Sequence, residues 1–268
     1  MKRVIFNADD FGISREVNEA IDIAHQRGVL RSASLMTGAP AFDDAVERAR
    51  RLPSLAVGLH VVLVHGRPVL PPHRIPAIVD ADGNFLTDLV KAGVRFFFRP
   101  GIARQLEAEI RAQFERFAAT GLTLDHADAQ SHMHVHPTIF GLILKVGKEY
   151  GLRGIRIPRE PFGGTRTIEP WVALMRRRAA RDGVRSNDYV YGVNDVGNMT
   201  EDRVLHMLET LPDGVTEIFF HPATGPFAGA DAGTERFQWA AELDALTSPA
   251  VRDTLARRDI ESITYAEL

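Results

Sequence analysis

The sequence predicts a single-domain α/β protein, residues 1–268, folded as a distorted TIM-like (β/α) barrel with roughly seven β/α units. Three observations carry this reading. Short β-type apolar runs alternate with helix-periodic segments along the whole chain. Several of those runs end abruptly on Asp or His, at the strand end where parallel barrels collect their chemistry. The 268 residues suffice for one large barrel and contain no internal repeat, low-complexity stretch or linker.

The elements follow in order. Val4, Ile5 and Phe6 form a strand that stops at Asp9-Asp10, and Gly12 then turns the chain. Ser14 is a good N-cap for a helix carrying Val17, Ala20, Ile21 and Ala24 on one stripe. Residues 30–36 read as a strand, 41–51 as a helix ended by Pro53, and 55–63 as the next strand. Residues 66–84, rich in Pro and Gly, must be an irregular excursion, and that length suggests a functional loop. Leu106, Ile110, Phe114 and Phe117 mark a helix over 102–120, closed by Gly121. Residues 124–134 are strand-like, 138–150 helical, and 154–157 a short strand stopped by Pro158. Helices over 171–181, 201–211, 235–246 and 250–258 alternate with extended segments at 189–193, 215–220 and 261–265.

Composition narrows the function. A formal net charge of −3 provides no basic field for nucleic acid. The absence of cysteine excludes disulfides and thiolate chemistry, so a metal would need His, Asp, Glu, Gln or Asn ligands. No signal peptide is visible, and no apolar run reaches the ~20 residues of a membrane span. A cytoplasmic protein is therefore expected.

Chemistry concentrates at a few places. Alone, Asp9-Asp10 reads most simply as a solvated Asx turn. His60 and His221 occupy the same position after two other strands, however, and three strand ends carrying Asp, His and His would converge on one rim. Four of the ten histidines, at 126, 132, 134 and 136, crowd one segment. If it stays extended, His126, Asp128, Gln130, His132 and His134 share one face, and burying that face demands partners for each group. An exposed edge strand is the ordinary alternative. Arg156 and Arg159 follow the fifth strand-like segment. Either can orient Asp9 or hold substrate oxygens, or simply pair with Glu160 on the surface.

Taken together, Asn7–Gly12, Val57-Gly58-Leu59-His60, Gly66-Arg67-Pro68, 126–137 and Phe220-His221-Pro222-Ala223 resemble the YdjC/ChbG carbohydrate deacetylases, nearly end to end. Residues 34–40, 67–72, 93–100 and 156–161 resemble more closely the hopanoid-biosynthesis-associated branch, HpnK. The resemblance implies a distorted barrel holding a divalent metal ion, zinc or magnesium, that activates water to remove an N-acetyl group from an amino sugar. By position, Asp10 and His60 would be metal ligands, Asp9 the general base and His221 the general acid. Arg156, Arg159 and His134 would contact substrate, an N-acetylglucosaminyl hopanoid or a related glycolipid. The family's third ligand is a histidine, and that position here is Gln130. Three readings follow: Gln130 coordinates through its oxygen, His132 or His134 replaces it, or metal binding is impaired. The run Val94-Arg95-Phe96-Phe97-Phe98-Arg99 would place a cytoplasmic protein peripherally at the inner membrane through Phe96–Phe98, unless those rings are core. The resemblance also allows a homodimer. Competing functions are hydrolysis of another bond and sugar or lipid binding without catalysis.

Overall fold

A computed structural model describes residues 1–98, 100–162, 168–228 and 234–268; the side chains of 97–100 lie outside that description. Its sheet is wholly parallel and curled into a barrel with a gap. The strands are β1 (Lys2–Phe11), β2 (Ser32–Leu35), β3 (Ala56–Val61), β4 (Leu124–Ala129), β5 (Gly154–Ile155), β6 (Arg185–Ser186), β7 (Tyr189–Tyr191), β8 (Gly214–Phe220) and β9 (Glu261–Ser262). Their order is β6-β5-β4-β3-β2-β1-β8-β7, with β9 also beside β1. The helices are α1 (Arg15–Arg27), α2 (Phe42–Arg51), α3 (Leu89–Phe98), α4 (Pro100–Ala118), α5 (Pro137–Glu149), α6 (Glu169–Arg181), α7 (Glu201–Glu209), α8 (Trp239–Thr247) and α9 (Pro249–Arg257).

The central strands are buried on both faces, because helices cover one side and the barrel interior, which carries polar groups such as Asn7, Ser34, Asp128 and Glu217, lies on the other. Val4, Ile5, Phe6 and Ala8 of β1 are all fully buried. Ser14 caps α1 by accepting from the Val17 N–H at 3.2 Å, as its position predicts. The gap between the sheet's two ends is bridged by the Asn187 side chain and by one backbone hydrogen bond. Asn187 Oδ1 accepts from the Ile157 N–H at 2.8 Å, and its Nδ2 donates to the Ile157 carbonyl at 2.9 Å. The Val190 N–H donates to the Arg159 carbonyl beyond it. An amide side chain thus makes the ladder contacts that a missing strand residue would make.

The excursion after β3 is held down by α4. Gln105, Glu109 and Gln113, spaced i, i+4, i+8 on one helix face, accept the backbone N–H groups of Ala77, of Val69 and Leu70, and of Val62. Ile75, Ile78 and Phe85 are buried beneath it.

Three expectations change. The strand starting at 124 ends at Ala129, because Ser131 and His132 take positive φ (51° and 52°) in a short 3-10 turn; the alternation therefore stops before Gln130. After the 66–84 excursion the chain forms α3, over residues to which pattern reading gave no element. Phe96, expected at a membrane surface, is buried edge-on against His136, whereas Phe97 and Phe98 lie outside the described side chains. The exposed apolar residues of α3 are instead Leu89, Val90 and Val94. Among the described residues no helix is long and apolar enough to cross a membrane.

Candidate active site at the C-terminal rim

Parallel pairing brings the chemistry-bearing strand ends together. β1 and β8 run in register through Ala8–Phe220, so Asp9 and His221 follow on adjacent ends. His60 and Asp128 are paired directly across β3 and β4. Asp10 sits within the irregularity of β1 between Ala8 and Phe11, in the left-handed region (φ 63°), a conformation Asp tolerates better than most residues.

Arg156 anchors the interior. Its guanidinium is fully buried and all three nitrogens donate to carboxylates. Nη1 and Nη2 grip Asp9 at 2.7 and 2.6 Å, Nη2 reaches Asp128 at 2.8 Å, and Nε and Nη2 reach Glu217. Tyr265 donates to Glu217 at 2.6 Å. Asn7 Nδ2 donates to Asp9 at 2.8 Å. Burial alone would raise the Asp9 pKa, but the Arg156 charge outweighs it and holds the carboxyl below its usual value. Asp128 is likewise held well below. Arg156, for which orienting Asp9 and contacting substrate were both expected, is a buried group bound to Asp9, Asp128 and Glu217. Its three nitrogens all donate to carboxylates.

His60 lies between two acids. Its Nδ1 is 2.8 Å from Asp128 Oδ1, and its Nε2 is 3.4 Å from Asp10 Oδ1. Burial lowers the His60 pKa, but Asp128, Asp9 and Asp10 together lift it to about 9. The order continues downward as a buried file. Asp128 accepts from Ser34 Oγ at 2.9 Å, Ser34 meets His126 Nε2 at 3.0 Å, and His126 Nδ1 meets Asp125 at 2.9 Å. His126, placed on the polar wall by sequence, is a link in this file; it stacks on Tyr265.

The donor set fits a divalent cation. Asp9, His60 and Asp128 each bring one ligand atom within 4.8 Å of the others, a group able to hold a metal. Asp9 and Asp128, however, already spend their oxygens on Arg156, Ser34 and His60 Nδ1. The Asp10–His60 Nε2 edge is more open. Two ligands at about 2.1 Å from a tetrahedral ion stand about 3.4 Å apart. That is the Asp10–His60 separation. A carboxylate on the other imidazole nitrogen, here Asp128, is the usual brace of a metal-bound histidine.

The remaining sequence candidates fall at different distances. Gln130 is buried and lines a cavity of about 430 Å³ with Ile13, Met36 and Arg67 on the same rim. His132 packs edge-on against Phe219 (5.3 Å), whose ring also lies under Arg156 and beside His221. Burial and the Arg156 charge depress the His132 pKa to about 4. His134 is fully buried. Neither ring nitrogen of His134 nor Nδ1 of His132 has a hydrogen-bond partner among the described residues. Arg159 is not brought to the site: it pairs with Glu169 at 2.7 Å and lies over Tyr189, while Glu160 is engaged by Asn194. His221 is placed by its backbone N–H, which donates to the buried Glu242 at 2.5 Å. Sequence reading did not assign Asn7, Ser34, Glu217, Glu242 or Tyr265. Glu217 carried a signal, since a carboxylate inside Val215–Phe220 demands a buried partner.

Comparison with known proteins agrees over the full length. A carbohydrate deacetylase of Brevibacillus brevis is 31% identical, covering 99% of each chain. One of Geobacillus stearothermophilus is 34% identical over 98% of this chain and 96% of its own. A solved structure from Enterococcus faecalis V583, provisionally described as a cellobiose-phosphate cleavage protein, superposes with a TM-score of 0.81 at 26% identity, covering 99% and 98% of the two chains. A lactam utilization protein of Thermus thermophilus shares the fold at a TM-score of 0.51 and 16% identity, covering 97% of this chain and 98% of its own. The family described as YdjC-like protein matches residues 3–257, and with relatives this similar over nearly all of its length, the chain belongs to the YdjC-like family.

Proposed function

We propose that this protein is a metal-dependent N-deacetylase of amino sugars, releasing the free amine and acetate. The observation that carries the reading is the Asp10–His60 edge at 3.4 Å, braced by Asp128 and lying next to Asp9. The relatives named carbohydrate deacetylases support the reaction class. Asp10 and His60 would hold the ion, with Gln130 or His132 completing its protein ligands. When bound, a zinc or magnesium ion supplies Lewis acidity toward the amide carbonyl and water.

The chain's own residues do the rest. Asp9, kept ionised by Arg156, accepts the proton of the attacking water. Asn7 and Arg156 fix its oxygens, so little reorganisation accompanies the transfer. His221, on the adjacent strand end, donates a proton to the departing nitrogen, so the C–N bond breaks to an amine and not to an unstable anion. The 430 Å³ cavity, with an apolar floor of Ile13, Met36 and Val62, takes the acetylated sugar. The finer substrate we propose is an N-acetylglucosaminyl hopanoid, reached at a membrane surface through the exposed side of α3.

Acetate release tests the reading. Metal-stripped protein is incubated with N-acetylglucosaminyl substrates, soluble and lipid-linked, and with zinc, magnesium or manganese. Release should require metal and vanish in Asp10→Asn and His60→Asn. No release from any substrate with any metal sinks the proposal. A gain in Gln130→His over the parent would identify position 130 as the limiting ligand.

A further inference from the structure

The face opposite the Asp10–His60 edge, at the strand N-termini, surrounds a solvent-open cavity of about 870 Å³. Four arginines from four parts of the chain line it: Arg31 before β2, Arg50 at the end of α2, Arg153 before β5 and Arg185 at the start of β6. Three of them are fixed by backbone carbonyls. Arg31 donates to Ser262, Arg50 to Thr120 at 2.8 Å, and Arg185 to Ala266 at 3.4 Å. A carbonyl orients a guanidinium without cancelling its charge.

The lining acids are already committed. Glu267 pairs with Arg31 at 3.1 Å, and Asp125 is bound by His126 and the Ala266 N–H. Arg50, Arg153 and Arg185 have no ion-pair partner among the described residues. Three guanidiniums without an ion-pair partner among the described residues therefore line one concavity. Like charges gathered at one concavity raise its positive potential. That potential favours an anion, and a phosphate matches the guanidinium fork. The cavity is several times larger than a phosphate group, and Leu52, Pro53 and Leu122 give it an apolar wall. Its occupant therefore has an uncharged body as well as a charged end.

We propose that this cavity binds a small organic phosphate carrying at least two negative charges. Its phosphate sits on Arg50, Arg153 and Arg185, and its body lies along Leu52, Pro53 and Leu122. The site is separate from the acetyl-transfer chemistry and does not depend on it.

Calorimetric titration of metal-stripped protein with ADP, inorganic pyrophosphate and inorganic phosphate tests this. ADP should bind most tightly, and added salt should weaken it. The double variant Arg153→Glu/Arg185→Glu changes two exposed side chains and should retain the parent's circular dichroism and melting temperature. It should bind ADP at least about tenfold more weakly. Arg153→Ala alone should show a smaller loss in the same direction. Asp10→Asn should bind as the parent does. Absence of ADP binding up to about 5 mM, unchanged affinity in the double variant, or loss in Asp10→Asn would each overturn the proposal. Inorganic phosphate binding as tightly as ADP would overturn the assignment of an organic body.

Discussion

Raising the pH should destabilise the metal-free protein by discharging His60. In the folded chain Asp128 at 2.8 Å, Asp9 and Asp10 lift this imidazole from 6.5 to about 9 against the opposing effect of burial. A raised pKa means that the proton binds more tightly to the folded state. Its stabilisation is fully present below pH 6.5 and is lost as the pH climbs through about 9. The interval from 6.5 to about 9, at about 1.4 kcal/mol per pH unit, is worth roughly 3 kcal/mol. The assay is urea unfolding in chelator at a series of pH values, followed by the fluorescence of Trp171 and Trp239. His60→Asn provides the reference, because other groups titrate equally in both proteins. The parent's advantage over His60→Asn should shrink by roughly 3 kcal/mol between pH 6.5 and 9.5. A pH-independent difference would refute the electrostatic account of His60. The same proton must leave before a cation can use Nε2, so metal binding at pH 7 should release about one proton. Titration in buffers of different ionisation enthalpy reads that number.

Other perturbations probe the surroundings of this group. Arg156→Met leaves Asp9, Asp128 and Glu217 buried without their counter-charge and should cost about 3–5 kcal/mol in urea unfolding, with part restored by adding Glu217→Gln. Gly58→Ala sets a Cβ 2.4 Å from His126 Cε1, so it should cost about 1–3 kcal/mol and weaken metal binding through the displaced file to His60. Asn187→Ala orphans the Ile157 N–H and carbonyl at the barrel gap, for an expected loss of about 1–3 kcal/mol and faster amide exchange along β5 and β7.

The strand ends were legible because each joins two strong local signals. An apolar run stops, and a chemically capable residue stands at the stop, as at Asp9, His60 and His221. Parallel geometry then forces such ends together. Legibility failed where backbone conformation departs from periodicity. Nothing in the alternation 126–134 announces that Ser131 and His132 adopt positive φ, so parity extrapolated too far. Helix α3 was hidden because Val94–Phe98 reads as an aromatic surface run and the residues before it were given no element. Long-range partners were the least accessible. Arg156 was seen near the acids, but its triple carboxylate grip joins β1, β4 and β8 across as many as 147 residues of sequence.

The buried file from His60 to Asp125 has a consequence for how the protein is made. Its lowest acid is held by the N–H of Ala266, and Tyr265 covers His126 while donating to Glu217. These contacts come from a stretch that leaves the ribosome after all of the strands. The rim residues of β1 are synthesised more than 250 positions earlier, yet the polar column beneath them waits for that late stretch to dock. A nascent chain stalled after β8 would carry every residue of the rim and still lack the floor that orients them. Competence for chemistry is thereby deferred until residues 265 and 266 have docked.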